Sequence, residues 1–167
     1  MPYLSSVGIV RSVAGLVATV VPLISIIGRL GSGWLSDRYN KKQVGIGFLL
    51  ITILGMLCMS YISSEAIWLI FPFVILFGIG WGGNNSVRVT MLREHFRGSN
   101  FGSIFGFTMG ITAVLGLTGP LFAGWIYDTL ADYHIAWISL IILVFIGMII
   151  ITTTPPLATT ANPKHPR

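Results

Sequence analysis

Five long apolar runs constrain this chain of 167 residues more than any other feature of its sequence. The runs cover roughly residues 13–35, 44–62, 66–83, 101–126 and 135–152. Each has at least about 18 residues, which lets a helix cross about 30 Å of hydrocarbon. Because the runs lack the strict alternation of barrel strands, they predict helices, which satisfy their own backbone polar groups in lipid. The sequence therefore predicts an all-α membrane protein with five transmembrane helices.

Composition excludes several other classes of protein. Hydrophobic residues make up 54% of the chain and charged residues only 9%, whereas soluble domains carry about 25% charged residues. A soluble enzyme and an intrinsically disordered chain are therefore excluded. The sequence has no histidine or acid cluster with metal-ligand spacing and no visible nucleophile–base pair. We accordingly predict no enzymatic activity, no cofactor and no metal.

The cations predict how the spans are oriented. The basic residues that follow the first, third and fifth runs fall on one side of the membrane: Arg38, Lys41, Lys42, Arg88, Arg93, Arg97, Lys164 and Arg167. The other side has Arg11 with Glu65, Asp128 and Asp132. By the positive-inside rule, the N-terminus lies outside and the C-terminus in the cytoplasm, most simply across a plasma (inner) membrane. The net charge of +5 therefore reflects topology and not a nucleic-acid partner.

The two ends of the chain carry further expectations. An outer N-terminus without a signal peptide is uncommon, so we expect at least one upstream span to be absent and the chain to be a fragment. At the other end, Pro155-Pro156 stops the last helix. Residues 155–167 are rich in Thr, Ala and Pro, which predicts a disordered cytoplasmic tail.

The loop between the first two runs has a specific pattern of charges. It reads Gly33-Trp34-Leu35-Ser36-Asp37-Arg38-Tyr39-Asn40-Lys41-Lys42. Asp37 can accept hydrogen bonds from the N-terminus of a neighbouring helix, and the cations can anchor the loop at an anionic leaflet. A generic basic loop explains the cations but not Gly33 and Asp37 at a spacing of four.

This loop resembles the motif G-x-x-x-D-R-x-G-R/K-R/K of the major facilitator superfamily. The matching positions are Gly33, Asp37, Arg38, Lys41 and Lys42. Asn40 stands where the family usually has glycine, and asparagine tolerates a left-handed turn better than most residues. The order of features downstream is similar to helices eight to twelve of the monocarboxylate and oxalate/formate porter branch. The resemblance implies a partial C-terminal bundle over residues 1–154 and a secondary transporter, for a small organic anion such as a monocarboxylate, that works by alternating access.

Arg29 is the most informative charge within the spans. An intramembrane cation normally faces a cavity or a partner, because exposure to lipid costs several kcal/mol. Ser25, Ser32 and Ser36 lie at i−4, i+3 and i+7 and form a polar stripe with it. In monocarboxylate porters the eighth helix carries an arginine that pairs with the substrate carboxylate, and the resemblance gives that role to Arg29. The alternative is an arginine that snorkels to the cytoplasmic interface.

The same resemblance suggests further substrate contacts, although two polar residues typical of related porters are missing from this sequence. Thr108, Thr112 and Asn84 are candidates to line the site beside Arg29 and Ser25, although Asn84 can equally cap its helix. The acidic residue that some porters place one turn before the arginine is Ser25 here. Residues 101–126 contain no charge, whereas oxalate exchangers use a lysine in that helix. A single intramembrane cation suits a monoanion.

Two sets of glycines predict close helix packing. Gly78-Ile79-Gly80-Trp81-Gly82-Gly83 formally contains a dinucleotide fingerprint, but it closes an apolar span instead of following a strand. Gly102, Gly106 and Gly110 repeat at a spacing of four, which suits a helix–helix contact within the chain or between two copies. The predicted partners are thus the lipid bilayer, a small organic anion, and either the missing N-terminal half or a second copy. The alternative functions are a non-transporting orphan half that acts as a homodimer or an assembly partner, and a porter of the same superfamily with a different substrate class.

Overall fold

The computed structural model describes residues 11–62, 66–96, 101–130 and 133–153. These residues form five α-helices and one short 3-10 turn, Ile67–Leu69, and contain no strand. The helices are α1 (Arg11–Arg38), α2 (Lys41–Ser60), α3 (Ile70–His95), α4 (Phe101–Leu130) and α5 (Tyr133–Thr153). All five are long and apolar enough to cross a membrane. The predicted all-α membrane fold is confirmed, whereas the predicted tail at 155–167 lies outside the described residues.

The helices extend beyond the apolar runs, most of all in α3. The third run ends at Gly83, but α3 continues to His95. This extension is held in place by Val87, which is 2% exposed and packs with Val44 and Phe48 of α2. Arg88 and Arg93, which follow the third run, therefore lie on a helix and not in the loop expected after that run, because an apolar run marks only the most apolar part of a packed helix. Arg97, Lys164 and Arg167 lie outside the described residues.

Helix α3 is the centre of the bundle, since it packs along α1 on one side and along α2 on the other. Helix α5 packs on α2, and α4 makes its main contact with α5. One apolar cluster joins the start of α3 to α1 and to the end of α2: Val17, Met59, Ile62, Ile70, Phe73 and Val74. A second cluster joins α2 to the later part of α3: Val44, Phe48 and Val87. Helices α1 and α3 thus run in the same direction, and α2 runs against them.

Glycines allow α3 to touch its two neighbours at backbone distance. A Cβ added at Gly82 would overlap the Ser25 backbone carbonyl of α1, and one at Gly28 would overlap the Ile79 carbonyl of α3. On the other side of α3, a Cβ at Gly80 would lie 2.7 Å from the backbone nitrogen of Thr52. Side chains of any size would push these helices apart. The prediction that the glycines of residues 78–83 serve close packing is confirmed.

Helix α4 lies at the edge of the bundle. The most apolar stretch of α4 has no buried residue among those whose side chains the structure describes. Phe107 and Leu121 are 72% and 73% exposed. Apart from the adjacent backbone of α4 itself, no atom lies within 4 Å of a Cβ placed at Gly102, Gly106 or Gly110. In the part of the chain that the structure describes, these three glycines therefore face open space and do not pack within the chain.

Candidate functional site: the motif loop and the intramembrane arginines

Asn40 forms the turn between α1 and α2. Its side-chain Oδ1 accepts a hydrogen bond from the backbone N–H of Lys42 at 3.0 Å, so Asn40 caps the N-terminus of α2. Its backbone is extended, with φ −61° and ψ 119°. The tolerance of asparagine for a left-handed turn is therefore not used at this position. Asparagine is among the strongest N-cap residues, so it suits this position although the family usually has glycine there.

The two lysines of the motif join three helices at one end of the bundle, which we call the motif end. Lys41, at the start of α2, forms an ion pair with Glu94 at the end of α3. Lys42 donates from Nζ to the Thr152 carbonyl near the end of α5, at 2.7 Å. The carbonyls at the C-terminus of a helix attract cations. The lysines thus hold the ends of α3 and α5 against the start of α2.

The other motif residues lie at the end of α1. The Arg38 guanidinium stacks over the Trp34 ring, with Cζ 4.1 Å from the ring centroid. Gly33 and Asp37 are exposed. The predicted hydrogen bonds from a helix N-terminus to the Asp37 carboxylate are absent among the described residues, whose hydrogen bonds include none to it.

Arg29 lies in the interior of α1, nine residues before the last residue of that helix. Its side chain is exposed. No acidic residue or hydrogen-bond acceptor of the described chain contacts the guanidinium. Arg29 is therefore a cation without a counter-charge on the open side of a membrane-length helix.

The serine stripe lies beside Arg29 but faces α3. Ser25 and Ser32 are 2% and 0% exposed. Their hydroxyls donate to carbonyls of their own helix, Ser25 to Pro22 at 2.6 Å and Ser32 to Arg29 at 2.9 Å. The Ser36 hydroxyl is buried and has no hydrogen-bond partner among the described residues. The stripe thus forms part of the α1–α3 contact, with Arg29 at its rim.

A polar segment of α3 follows its glycines. Asn85 donates from Nδ2 to the Trp81 carbonyl at 3.2 Å, and its Oδ1 accepts from Arg88 Nη2 at 3.1 Å. The Nε of Arg88 is buried and has no acceptor in the described residues. Asn84 is half-buried. The apolar run ends at Gly83, so the sequence does not place Arg88 within a span, and only the continuation of α3 to His95 includes it.

The two threonines of α4 are half-buried and bond to their own helix. Thr108 donates to the Ile104 carbonyl and Thr112 to the Thr108 carbonyl, each at 2.8 Å. Helix α4 makes its main contact with α5 and not with α1. The described contacts therefore do not bring these threonines to Arg29.

Five membrane-length helices, of which the glycine-rich α3 is the central one, define an integral, multi-pass membrane protein. The family model of the Major Facilitator Superfamily matches residues 1–167, so the chain belongs to this superfamily. Its members are transport proteins that work in a lipid bilayer and carry small molecules. The predicted family is confirmed.

Similar proteins include transporters of animals and bacteria. Monocarboxylate transporter 12 of Xenopus laevis is 29% identical over 140 residues, which are 83% of this chain and 30% of that protein. The uncharacterized MFS-type transporter YcxA of Bacillus subtilis is 28% identical over 144 residues, 83% of this chain and 34% of that protein. The benzoate transport protein of Acinetobacter baylyi is 23% identical over 124 residues, 74% of this chain and 26% of that protein. The chain thus spans about a third of the length of the curated relatives it matches.

Proposed function

We propose that this chain forms most of the C-terminal half of a secondary transporter for a small organic anion such as a monocarboxylate. In this proposal α1 to α5 correspond to helices eight to twelve of the superfamily fold. An N-terminal half or a second copy completes the cavity. Substrate crosses by alternating access, in which the two halves rock about a site between them. The observation that carries the proposal is the unpaired Arg29 within α1.

Arg29 binds the carboxylate of the substrate in this proposal. About 13 Å of helix, at 1.5 Å per residue, separates it from the end of α1. A charge at that depth needs water, an anion or a partner, because hydrocarbon does not solvate it. The planar guanidinium matches a carboxylate in a bidentate geometry. Two of the relatives are named for carboxylates, one for monocarboxylates and one for benzoate, which supports an anionic substrate.

Further polar residues surround the substrate in the complete site. Asn84 on α3 and Thr108 and Thr112 on α4 supply hydrogen-bonding groups to its uncharged part. Ser25 contributes by keeping α1 close to α3, since it is 2% exposed within that contact. Replacing either threonine by valine removes the hydroxyl and is expected to lower uptake less than replacing Arg29.

The test replaces Arg29 by lysine and by glutamine in the full-length transporter reconstituted in vesicles. Uptake of benzoate and of short aliphatic monocarboxylates is measured. We expect each variant to lower uptake at least about tenfold, because a hydrogen bond to a charged group contributes about 1.5–3 kcal/mol and 1.4 kcal/mol is tenfold.

Arg93→Lys is the matched control, since Arg93 is an exposed cation near the end of α3. Its uptake should equal that of the unmodified protein. Unchanged uptake in the Arg29 variants would remove Arg29 from the site and favour the snorkelling alternative.

We also propose the orientation given by the basic residues, with the N-terminus outside and the C-terminus in the cytoplasm of a plasma (inner) membrane. The motif end then faces the cytoplasm. Cysteines introduced singly at Lys42 and at Asp128, in a variant without Cys58, report this directly. Labelling by an impermeant reagent in intact cells should reach position 128 and not position 42.

The open glycine face of α4 favours one second candidate, a non-transporting homodimer. Here Gly102, Gly106 and Gly110 contact a second copy, since the described chain leaves the space beside them empty. A cysteine at Gly106 distinguishes the two functions. Cross-linking between two copies supports the homodimer, whereas cross-linking to an N-terminal half supports the transporter.

A further inference from the structure

We infer that Arg88 is a second anion-binding residue beside Arg29, and that the site therefore takes an organic anion with two carboxylates. Asn85 positions Arg88 for this role. The inference rests on the proposed transport function and narrows its substrate class to short dicarboxylates in preference to the matching monocarboxylates.

The two arginines lie on neighbouring helices, both between the α1–α3 contacts and the motif end. Helices α1 and α3 run in the same direction and touch where Gly82 meets the Ser25 carbonyl. Arg29 is four residues beyond that contact on α1, and Arg88 is six residues beyond it on α3. At 1.5 Å per residue these steps are about 6 and 9 Å. Counted from the other backbone contact, between Gly28 and the Ile79 carbonyl, the steps are about 1.5 and 13.5 Å. The two contacts thus place the side chains between about 3 and 12 Å apart in depth, within reach of one small dianion and its water.

On α1, Arg29 lies on the side of the helix that is turned away from α2. A helix turns about 100° per residue, so Arg29 lies about 40° around the axis of α1 from Ser25, the residue that faces α3. Leu35 lines a cavity together with Val44 and Phe48 of α2, and it lies about 120° around the helix axis from Arg29 in the opposite sense. The Arg29 side chain therefore does not leave α1 on the side that faces α2.

On α3, Arg88 lies on the matching side. Gly82 faces α1, and Val87 faces α2. Around the axis of α3, Asn85 and Arg88 lie about 60° and 120° from Gly82. Gly83 and Val87 lie on the other side of Gly82, toward α2. Because α1 and α3 are parallel, Arg29, Asn85 and Arg88 all lie on the same face of the α1–α3 pair, the face that α2 does not cover.

Asn85 fixes the guanidinium of Arg88 and leaves most of it available. The amide donates to the Trp81 carbonyl and accepts from Nη2, so its orientation is set at both ends. Arg88 makes no ion pair with a described residue, and its buried Nε lacks an acceptor there. A buried donor without an acceptor is costly, and a carboxylate would satisfy it.

Charge balance favours a dianion. The acidic residues in the described ranges are Asp37, Glu94 and Asp128. Glu94 is paired with Lys41, Asp128 is near the opposite end of the bundle, and Asp37 is eight residues along α1 from Arg29. The two arginines on this face thus have no carboxylate of the described chain between them. A substrate with two carboxylates neutralises both, whereas a monocarboxylate leaves one charge unpaired.

The test compares succinate with butyrate, which have the same chain length and differ by one carboxylate. Uptake of each is measured in vesicles that contain the full-length transporter. We expect succinate to be preferred and Arg88→Gln to raise the KM for succinate about tenfold while that for butyrate changes less than about twofold. Asn85→Ala should raise the KM for succinate about threefold, because Arg88 keeps its charge and loses its support.

Arg88→Lys keeps the charge, so it is the second variant if Arg88→Gln fails to fold. It should retain the preference for succinate in weakened form. Arg93→Gln is the matched control on the same helix and should leave both KM values unchanged. Butyrate uptake with no preference for succinate, unaltered in Arg88→Gln, would overturn this inference and leave the proposed function intact. Uptake of neither acid would instead contradict the proposed function.

Discussion

Helices α3 and α4 carry glycines at the same spacing of four but use them differently. Gly78 and Gly82 of α3 lie against the backbone or side chains of α1, at distances that admit no Cβ. Gly102, Gly106 and Gly110 of α4 have nothing within 4 Å of the position of a Cβ. The spacing thus predicts a flat helical face in both cases. It does not predict whether another helix of the same chain lies against that face.

The position of each helix in the bundle explains this difference. Helix α3 is central and has a neighbour on two sides, so its glycines are enclosed. Helix α4 is at the edge and packs mainly on α5. A glycine-rich face at an edge is free to receive another helix, which is the reason we propose α4 for the contact with a partner half or copy.

The largest loss of stability is expected from a substitution that breaks the close contact of α3 with α1. Gly82→Ala places a methyl group on the Ser25 backbone, and a forced separation of this kind costs about 1–3 kcal/mol. Gly106→Ala adds the same methyl group in open space and is expected to change stability by less than about 0.5 kcal/mol. Thermal unfolding of both variants in detergent measures the difference.

Equal losses of stability in the two variants would contradict the difference between the helices. A large loss for Gly106→Ala alone, in the full-length protein, would show that the α4 face is covered by another helix. Gly15→Ala on α1 is a further control, because a Cβ at Gly15 has no neighbour within 4 Å.

A smaller effect is expected at the motif end, where polar contacts hold α2. Asn40→Ala removes the cap of α2, and loss of an N-cap costs about 1 kcal/mol. Asn40→Asp keeps an acceptor oxygen and should retain most of the stability, whereas Asn40→Gly tests whether the glycine usual in the superfamily is equivalent. Since φ of Asn40 is −61°, glycine gains nothing from its freedom to adopt positive φ. Greater stability of Asn40→Gly than of the native protein would be inconsistent with this role.

The smallest expected effect concerns the ion pair between Lys41 and Glu94. The two side chains are 25% and 34% exposed, and pairs of this kind contribute about 0.5 kcal/mol. Lys41→Ala and Glu94→Gln should each lower the unfolding temperature slightly, and the double variant should lose no more than either single one. The exchanged pair, Lys41→Glu with Glu94→Lys, should recover part of the loss. The coupling should also decrease at high salt, because salt screens exposed charges.

Much of the fold was predictable because one physical constraint dominates it. Only helices and closed barrels satisfy their backbone in hydrocarbon, and unbroken apolar runs exclude barrel strands, so five apolar runs sufficed to predict five helical spans. The motif residues were predictable for a similar reason, since Asp37, Arg38, Lys41 and Lys42 form a dense charge pattern in an otherwise apolar chain. The actual partners of the lysines, Glu94 and the Thr152 carbonyl, lie 53 and 110 residues away in sequence, and no local pattern indicates them.

The candidate site was predictable only in part. Arg29 is conspicuous because it interrupts an apolar run, and the structure gives it no counter-charge among the described residues. Arg88 follows the end of an apolar run, where an arginine is ordinary. Its position within a span follows from the continuation of α3 to His95, and its support by Asn85 follows from the hydrogen bond between the two side chains.

The sequence by itself determined the solvent in which this protein folds, the number of its spans and the position of its motif loop. These properties depend on local composition, which the chain carries residue by residue. Tertiary structure alone decided that α3 is central and α4 is at the edge. It also decided that the serines near Arg29 face α3 and that Arg29 and Arg88 share one face. Those properties depend on which helix surfaces come within van der Waals distance, and two surfaces with the same glycine spacing differ only in what lies against them.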